Sequence, residues 1–310
     1  SFAVFKWLMQ YSTHAIFLDA LLTRRSYNIV AHLRYAQTVY EGVPPVLGSD
    51  RHRVVYHRNE YRNAAGDNYY LTSDRMQWFA EIDTALGCQQ RIVVMANSLD
   101  IAKTAREYIV GKHPLLRVQL YSSETAPSEK REHFANVNHW WQQYDVIIYT
   151  PTITAGVSFE IPHFHKVFCY FTDMSCSTQA CIQMIGRTRA VLSREYVICI
   201  AACGNNLPTT VERLKFWLYQ NRMNLLGENV YVPEFTYDES GDVTFYTSDY
   251  LYVYLQNLIM RNESRNWFTR QLIGRIGATG ATLIRMESAT ADTTVLKAVA
   301  AARDRHKKFA

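Results

Sequence analysis

The chain has 310 residues, of which 48% are apolar and 13% aromatic, and its formal net charge is +5. A chain of this length and apolar content can fill a hydrophobic core in one large or two ordinary domains. No apolar run is long enough to span a bilayer, and the first residues lack a secretion-signal pattern, which disfavours membrane and secreted proteins. We therefore expect an intracellular protein, and the mild basicity permits a polyanionic partner without requiring one.

The first 34 residues are predicted to contain a strand and a helix, around HAIFLDALLTRR, that belong to a different domain from the residues that follow. Further along, RIVVMA predicts a strand and NSLDIAKTAREYIVG predicts a helix. Asn97 or Ser98 is expected to cap this helix, and Gly111 is expected to end it.

Strand and helix patterns continue to alternate until about residue 205. LLRVQLYS, YDVIIYT, HKVFCYF and EYVICIAA predict strands, whereas PSEKREHFANV and TQACIQMIGRTRA predict helices. This alternation is typical of an α/β fold in which helices cover both faces of a parallel sheet. Ligands of such sheets bind at the carboxyl ends of the strands.

After about residue 205 the patterns are mainly helical, as in TTVERLKFWLYQNRMNLL and SDYLYVYLQNLIMRNESRNWFTRQLIGRI. Between these two segments, YVPEFTYDESGDVTFYTS predicts a loop or a small hairpin. We therefore predict three regions, namely residues 1–34, an α/β domain over 35–205 and a mostly helical C-terminal extension over 206–310.

The sequence contains six cysteines, most of them within apolar stretches. Cys199 and Cys203 approach a ligand-like spacing, and His163 and His165 could join Cys169. No second cysteine pair completes a zinc site, however. Buried free thiols are the favoured interpretation, and no metal site is predicted.

The segment YTPTITAGVSFE, residues 149–160, follows a buried strand and combines hydroxyl side chains with a glycine. Small residues let the backbone approach an anion closely, and hydroxyl and amide groups bind phosphate oxygens. The segment is therefore a candidate phosphate clamp, although the same residue types are typical of any tight turn.

Further along the chain, QMIGRTRA places two arginines beside a glycine. Arginine binds phosphate through several hydrogen bonds and can stabilise the charge on a phosphoryl group during its transfer. Considered alone, this segment is better explained as a surface helix with solvated arginines.

Together, and in this order, the two segments resemble motifs V and VI of superfamily 2 helicases. RIVVMANS resembles motif IV, and IFLDALLTRRSYNIV is similar to motif III, with Asp19 at its centre. The residues of motifs V and VI and of the helical tail YLQNLIMRNESRNWFTRQLI are similar to the herpesvirus origin-binding protein family of replicative helicases and its relatives in large DNA viruses.

The resemblance implies that residues 1–34 end a first RecA-like lobe and that the α/β domain is the second one, with ATP and Mg²⁺ held between the lobes, mainly by the first. The implied contacts with the DNA backbone are Ser98, Ser122, Thr150 and Thr154. The implied contacts with the nucleotide are Asp19, Gly156, Ser158, Glu160 and Gly186. The implied catalytic residues are Gln183, Arg187 and Arg189.

The resemblance also implies the partners and the place of action. The partners are single-stranded or forked DNA, the upstream RecA-like lobe of the same protein, and other replication proteins or a second copy of the chain. The place of action is the nucleus or a cytoplasmic site of viral replication, and no membrane is involved.

The sequence departs from the QxxGRxxR pattern of motif VI, because Ala190 stands where the last arginine belongs. On a continuous helix, Gln183 and Arg187 are four residues apart and share a face. Arg189 lies one position early and could serve as the arginine finger only if the helix ends near Gly186. We therefore rank Arg187 above Arg189 and leave the identity of the finger open.

The sequence contains no phosphate loop of the form GxxxxGK[ST]. Its Gly111–Lys112 pair is followed by His113, and Arg106 stands at the position of the first glycine. IFLDA resembles a Walker B strand, but Ala20 replaces the catalytic acid. We expect a fragment that begins near the end of the first lobe and hydrolyses ATP negligibly by itself.

Three functional hypotheses follow from these observations. The leading one is the second motor lobe of an ATP-dependent DNA helicase that acts in viral DNA replication. The main alternative is a catalytically silent helicase-like module that holds DNA or a replication partner. An unrelated nucleotide-dependent α/β enzyme would need a phosphate loop. Trp267 could stack on single-stranded bases, but core packing is the favoured role for it.

Overall fold

The computed structural model describes residues 2–12, 24–39, 66–153, 157–225, 235–245, 248–287 and 293–308. The chain divides into two compact units. We call Ser1–Glu60 with Asn206–Asn266 the helical unit, and Tyr61–Asn205 with Trp267–Ala310 the sheet unit.

Strands and helices alternate along most of the described chain. The strands are β1 (Asn68–Thr72), β2 (Ile92–Ala96), β3 (Val118–Tyr121), β4 (Val146–Tyr149), β5 (Lys166–Phe171), β6 (Glu195–Ile200), β7 (Phe235–Tyr237), β8 (Val243–Phe245) and β9 (Thr282–Arg285). The helices are α1 (Phe2–Tyr11), α2 (Arg24–Val39), α3 (Arg75–Gly87), α4 (Leu99–Lys112), α5 (Pro127–Ala135), α6 (Val137–Trp141), α7 (Thr178–Ile185), α8 (Val211–Leu225), α9 (Asp249–Asn266), α10 (Phe268–Gly277) and α11 (Thr293–Lys308).

The sheet unit is built on seven parallel strands in the order β3-β4-β2-β5-β6-β1-β9. Every residue of β2 and of β4 is buried, as expected for strands with helices on both sides. Successive side chains of β2 point to opposite faces, so that Val93 and Met95 join one core while Ile92 and Val94 join another. The predicted α/β RecA-like fold, a parallel sheet covered on both faces, is confirmed.

Different helices cover the two faces of this sheet. α6, α7 and α10 contribute buried residues to the face that contains Val93, and α3, α4 and α11 contribute to the face that contains Ile92. Polar side chains cap several of these helices: Asp74 caps α3, Ser98 caps α4 and Ser177 caps α7. Each cap accepts a backbone hydrogen bond that the first helical turn would otherwise lack.

The helical unit has its own small core of leucines on α8 and α9, completed by partly buried neighbours on the same helices. At one end of α9, Lys6 of α1 and His32 of α2 both pair with Asp249. At the other end, the Asn266 side chain exchanges two hydrogen bonds with the backbone of Leu207. β7 and β8 form an antiparallel hairpin, which the sequence predicted as a loop or hairpin.

The chain is divided differently from the three predicted regions. Residues from 267 onwards belong to the sheet unit, because β9 pairs with β1, and α11 packs on α4 and α3. The predicted extension instead ran without interruption from 206 to 310. β9 escapes sequence analysis because it is only four residues long and mostly exposed.

No helix within the described ranges is long and apolar enough to cross a membrane. Across the same ranges, no group of three or more His, Cys, Asp or Glu side chains could hold a metal ion.

Candidate functional site

The candidate site lies at the carboxyl-terminal edge of the sheet. Because the seven strands are parallel, the segments that follow them emerge along one edge. This edge is where open α/β sheets bind ligands. The segments after β2, β3 and β4 carry Ser98, Ser122 and Thr150, three of the predicted nucleic-acid contacts.

The segment after β4 begins with a buried threonine. Thr150 is 4% exposed, and its backbone N–H donates to the carbonyl of Tyr121 at 3.0 Å. Its hydroxyl lies 3.1 Å from that of Thr152, which is partly exposed. The hydroxyl of the buried Thr150 is therefore connected to the surface by its contact with the hydroxyl of Thr152. Two further predicted contacts in this segment, Thr154 and Gly156, lie outside the described residues.

The second half of this segment pairs with the residues that follow α7. The N–H of Phe159 donates to the carbonyl of Arg187 at 2.7 Å, and the N–H of Arg189 donates to the carbonyl of Phe159 at 2.9 Å. Phe159 is fully buried and stacks on Trp141 with ring centroids 5.6 Å apart. The sequence segments that resemble motifs V and VI are thus joined by a short parallel bridge anchored in the core.

A buried tyrosine makes a second connection between β4 and α7. The hydroxyl of Tyr149 donates to the carbonyl of Met184 at 2.8 Å, near the end of α7. Burial raises the pKa of Tyr149 well above its usual value, so that the phenol stays neutral and remains a donor.

Helix α7 ends earlier than the sequence pattern suggested. Its last residue is Ile185, and Gly186 is its C-terminal cap. Gln183 and Arg187 therefore do not share a helical face, and the four-residue spacing that predicted this does not hold. The condition set for Arg189, a helix that ends near Gly186, is met.

The guanidinium groups of Arg187 and Arg189 have different surroundings. Nη1 of Arg187 donates to the carbonyl of Val157 at 3.1 Å. The Arg189 side chain is 66% exposed, and its Nη1 lies 3.6 Å from Oε1 of Glu160, whose side chain is 56% exposed. An ion pair this exposed contributes about 0–1 kcal/mol, so an incoming phosphate can replace the carboxylate.

Of the other predicted nucleotide contacts, Ser158 touches this ion pair. Oγ of Ser158 donates to Oε1 of Glu160 at 3.3 Å, and the Glu160 N–H donates to Oδ1 of Asn138 at 3.0 Å. Gln183 and Gly186 are exposed. Asp19, the predicted motif III residue, lies outside the described residues.

The remaining two predicted nucleic-acid contacts take part in local turns. Oγ of Ser98 accepts a hydrogen bond from the N–H of Ile101 at 3.4 Å as the cap of α4, and the side chain is partly exposed. Ser122 is 2% exposed, and its hydroxyl accepts from the N–H of Glu124 at 3.2 Å. In the structure, therefore, the Ser122 hydroxyl caps a local turn.

Asn97 is a residue of this edge that the sequence suggested only as a helix cap. It is 2% exposed, its Nδ2 donates to the carbonyl of Thr172 at 2.7 Å, and its Oδ1 accepts from the Thr172 N–H at 2.8 Å. These bonds clamp the end of β2 to the end of β5. The available sequence signal was a polar residue directly after an entirely apolar strand.

Trp267 does not pack in the core, which is the role that the sequence favoured for it. Its side chain is 47% exposed, whereas the neighbouring Phe268 is 2% exposed and packs in the core of the sheet unit. Trp267 is the N-cap residue of α10, and Phe268 is the first residue of that helix.

The parallel sheet, with the paired segments after β4 and α7 at its edge, defines the class of the sheet unit as a RecA-like α/β lobe. The family described as origin of replication binding protein matches residues 3–211, and the chain belongs to that family. This is the herpesvirus origin-binding protein-like family that the sequence motifs resemble.

Individual relatives agree with this assignment. The chain is 35% identical over 283 residues to a candidate helicase/primase complex protein of African swine fever virus, covering 91% of this chain and 26% of the viral protein. It is 24% identical over 128 residues to the replication origin-binding protein of varicella-zoster virus, covering 41% of this chain and 14% of that protein. The chain thus spans about a quarter or less of the length of these relatives.

Among solved structures, the chain aligns with Mss116p DEAD-box helicase domain 2 bound to an RNA duplex. The alignment covers 75% of this chain and 69% of that one, with 11% identity and a TM-score of 0.39. Because this identity and TM-score are low, the fold assignment rests on the strand order of the sheet and on the hydrophobic cores that cover its two faces.

Proposed function

We propose that the chain provides the second motor lobe of an ATP-dependent DNA helicase that acts in viral DNA replication. The observation that carries this proposal is the backbone pairing of Phe159 with Arg187 and Arg189. This pairing joins the segment expected to contact DNA to the segment expected to contact the nucleotide. A motor needs such a connection, because hydrolysis at one site must move a strand held at another.

The relatives support a role in replication. One is named for a helicase/primase complex and another for replication origin binding. Since this chain covers only part of each, the first motor lobe, DNA and other replication proteins are its proposed partners. A second copy of the chain is a further candidate partner.

The described residues fit one side of a nucleotide site. Exposed Arg189 offers a guanidinium whose partner, Glu160, is itself exposed, and this arrangement suits a phosphate ligand. ATP would supply the phosphoanhydride bond whose cleavage drives the motor, and Mg²⁺ would offset the negative charge of its phosphates. In this proposal the first lobe supplies most of the ligands of that Mg²⁺.

Within the lobe, we assign different tasks to the two arginines. Arg189 leaves Glu160 and stabilises the charge that develops on the transferred phosphoryl group. Arg187 keeps its hydrogen bond to Val157 and so positions the motif V segment relative to Arg189. Movement of Arg189 towards the phosphate is transmitted through Phe159 to the threonines after β4.

The proposal is tested with ATPase measurements on the full-length protein, with and without single-stranded DNA. Arg189→Ala is expected to lower the DNA-stimulated kcat about 1,000-fold or more while DNA affinity is retained. Arg187→Ala is expected to reduce the stimulation by DNA more than the basal rate, because it uncouples the two segments. Arg303→Ala, at an exposed arginine of α11, is the matched control and is expected to behave as wild type.

Two results would contradict the proposal in different ways. If Arg189→Ala retains full activity, the finger is another residue and the assignment of tasks fails. If the wild-type protein shows no ATPase activity with any nucleic acid, the motor function fails. Retained DNA binding in that case would support the silent helicase-like module instead.

A further inference from the structure

Two cysteines meet at the start of α7. Cys176 directly precedes the cap residue Ser177, and Cys181 is the fourth residue of the helix. Their sulfur atoms are 3.6 Å apart. Cys181 is buried, whereas Cys176 is partly exposed. Of the two thiols, a small molecule in solvent can therefore reach only that of Cys176 directly.

The local sequence brings these two sulfurs together. Oγ of Ser177 accepts a hydrogen bond from the N–H of Ala180 at 3.3 Å, which fixes the entry of the chain into the helix. In this geometry, the residue before the cap packs against the fourth helical residue, an arrangement known as a hydrophobic staple. Here both positions of the staple are cysteines, which behave as small apolar side chains when reduced.

The surroundings make the two thiols chemically unequal. The Cys181 thiol, and after it the Asn97 amide, form hydrogen bonds that lower the pKa of the Cys176 thiol. The hydrogen bond to Cys176, together with burial, raises the pKa of Cys181. Nδ2 of Asn97 lies 3.7 Å from the sulfur of Cys176 and 4.0 Å from that of Cys181. A thiolate attacks a disulfide faster than a thiol does.

We infer that Cys176 and Cys181 form a redox-active dithiol that is oxidised to a disulfide by low-molecular-weight disulfides. This inference concerns a site of covalent modification, and it does not depend on the proposed motor function. It rests on the contact between the sulfurs, their unequal exposure and the amide that faces both.

The reaction proceeds in two exchange steps. The Cys176 thiolate attacks one sulfur of oxidised glutathione, forming a mixed disulfide and releasing one glutathione thiolate. Cys181 then attacks the Cys176 sulfur, and the second glutathione leaves as a thiolate that takes up the Cys181 proton. The protein loses two electrons and two protons, and oxidised glutathione becomes two molecules of glutathione.

The geometry requires little rearrangement for the second step. A disulfide bond is about 2.05 Å long, so the sulfurs must approach by about 1.5 Å from their contact distance. Rotation of the partly exposed Cys176 side chain can supply most of this movement. The other four cysteines do not combine a buried and a partly exposed thiol in contact. Cys169 and Cys199 are buried within the sheet, whereas Cys88 and Cys203 are exposed.

The test equilibrates the full chain with mixtures of reduced and oxidised glutathione, blocks the remaining thiols with iodoacetamide and maps tryptic peptides by mass spectrometry. Cleavage after Lys166 and Arg187 releases one peptide that contains Cys169, Cys176 and Cys181. The expected oxidised peptide lacks two hydrogen atoms and carries one alkyl group, on Cys169.

The dependence on glutathione concentration separates an internal disulfide from simple glutathionylation. If both forms of glutathione are diluted tenfold at a constant ratio, the ratio of oxidised to reduced peptide should rise about tenfold for an internal disulfide. A mixed disulfide with glutathione depends only on the ratio and should not change. This measurement uses the wild-type chain and needs no variant to fold.

Variants identify the order of the steps. Cys181→Ala should leave a glutathione adduct on Cys176 that is not resolved, whereas Cys176→Ser should leave Cys181 reduced. Cys88→Ser is the matched control and should not alter the internal disulfide. The inference is overturned if both thiols are alkylated in buffers that glutathionylate Cys88, or if the oxidised fraction ignores the dilution.

Discussion

Arg187 and Arg189 are two positions apart, but their side chains have different surroundings and can therefore have different roles. Arg187 donates a hydrogen bond to the backbone carbonyl of Val157, whereas the guanidinium of Arg189 lies beside the exposed carboxylate of Glu160. Sequence analysis ranked Arg187 first, because it matches the QxxGRxxR pattern directly. The exposure of the two guanidinium groups favours Arg189 as the residue that meets the phosphate.

The structural role of Asn97, a polar residue after an apolar strand, is seen only from its contacts. Its side chain satisfies both the N–H and the carbonyl of Thr172 in a buried position. The neighbouring serine performs the capping role that the sequence allowed for either residue. Asn97 is thereby free to join two strands and to face the two cysteines.

Asn97→Ala is expected to lower the free energy of unfolding by about 3 kcal/mol, because it removes the partners of two partly buried backbone groups of Thr172. The change is measured by urea denaturation. Gln142→Ala, which removes an amide from an exposed position of the same unit, is expected to change stability by less than about 0.5 kcal/mol. Equal effects of the two variants would refute the clamp.

At the scale of secondary structure, the end of α7 shapes the candidate site. The helix stops at Ile185, and residues 187–189 then hydrogen-bond to the segment around Phe159 instead of adding another helical turn. The bond from Tyr149 to Met184 fastens the same helix to β4. Motif VI therefore consists of a short helix and an extended segment.

Helix α11 is an integral part of the sheet unit, although the sequence placed it in a separate extension. Val295, Val299 and Ala302 are spaced at helical intervals and are buried against α3 and α4. This packing explains why residues far along the chain belong with the parallel sheet.

Val299→Asp is expected to destabilise the sheet unit by about 3 kcal/mol or more, because it buries a carboxylate without a partner. Leu296→Asp is the matched control, since Leu296 lies on the same helix and is 52% exposed. Its expected effect is below about 0.5 kcal/mol. Thermal or urea unfolding distinguishes the two, and a silent Val299→Asp variant would contradict the packing of α11.

At the scale of the whole molecule, the sheet unit buries several tyrosines. Burial raises the pKa values of Tyr69, Tyr121, Tyr149 and Tyr196 above their usual value. In the unfolded chain these phenols ionise near pH 10. Because the folded pKa values are higher, this contribution to stability is complete below about pH 10 and is lost as the pH rises through the folded values.

Unfolding measured between about pH 10 and pH 11.5 should therefore show a steep loss of stability, near 1.4 kcal/mol per pH unit for each fully buried tyrosine. Tyr149→Phe is expected to reduce that slope by one such increment. Tyr70→Phe, at a partly exposed position of the same sheet, is the control. An unchanged slope in Tyr149→Phe would show that the buried phenol is not what limits stability at high pH.

The sequence by itself determined the elements whose signals are local. β2, α4, β4 and β5 lie close to their predicted positions, because uniform apolar runs and capping residues are readable within a few positions. The motif V and VI segments were recognised for the same reason, since each is contiguous. The resemblance to the family was recognised directly from the residues of these two segments.

Only the tertiary structure decided how these segments meet. The bridge between Phe159 and the residues after α7 and the Asn97 clamp each join residues that no local pattern relates. β1, α3, β9 and α11 also had no counterpart among the predicted elements. The places of all four depend on pairing and burial between distant parts of the chain, and the short, partly exposed β1 and β9 gain their structure from the strands with which they pair.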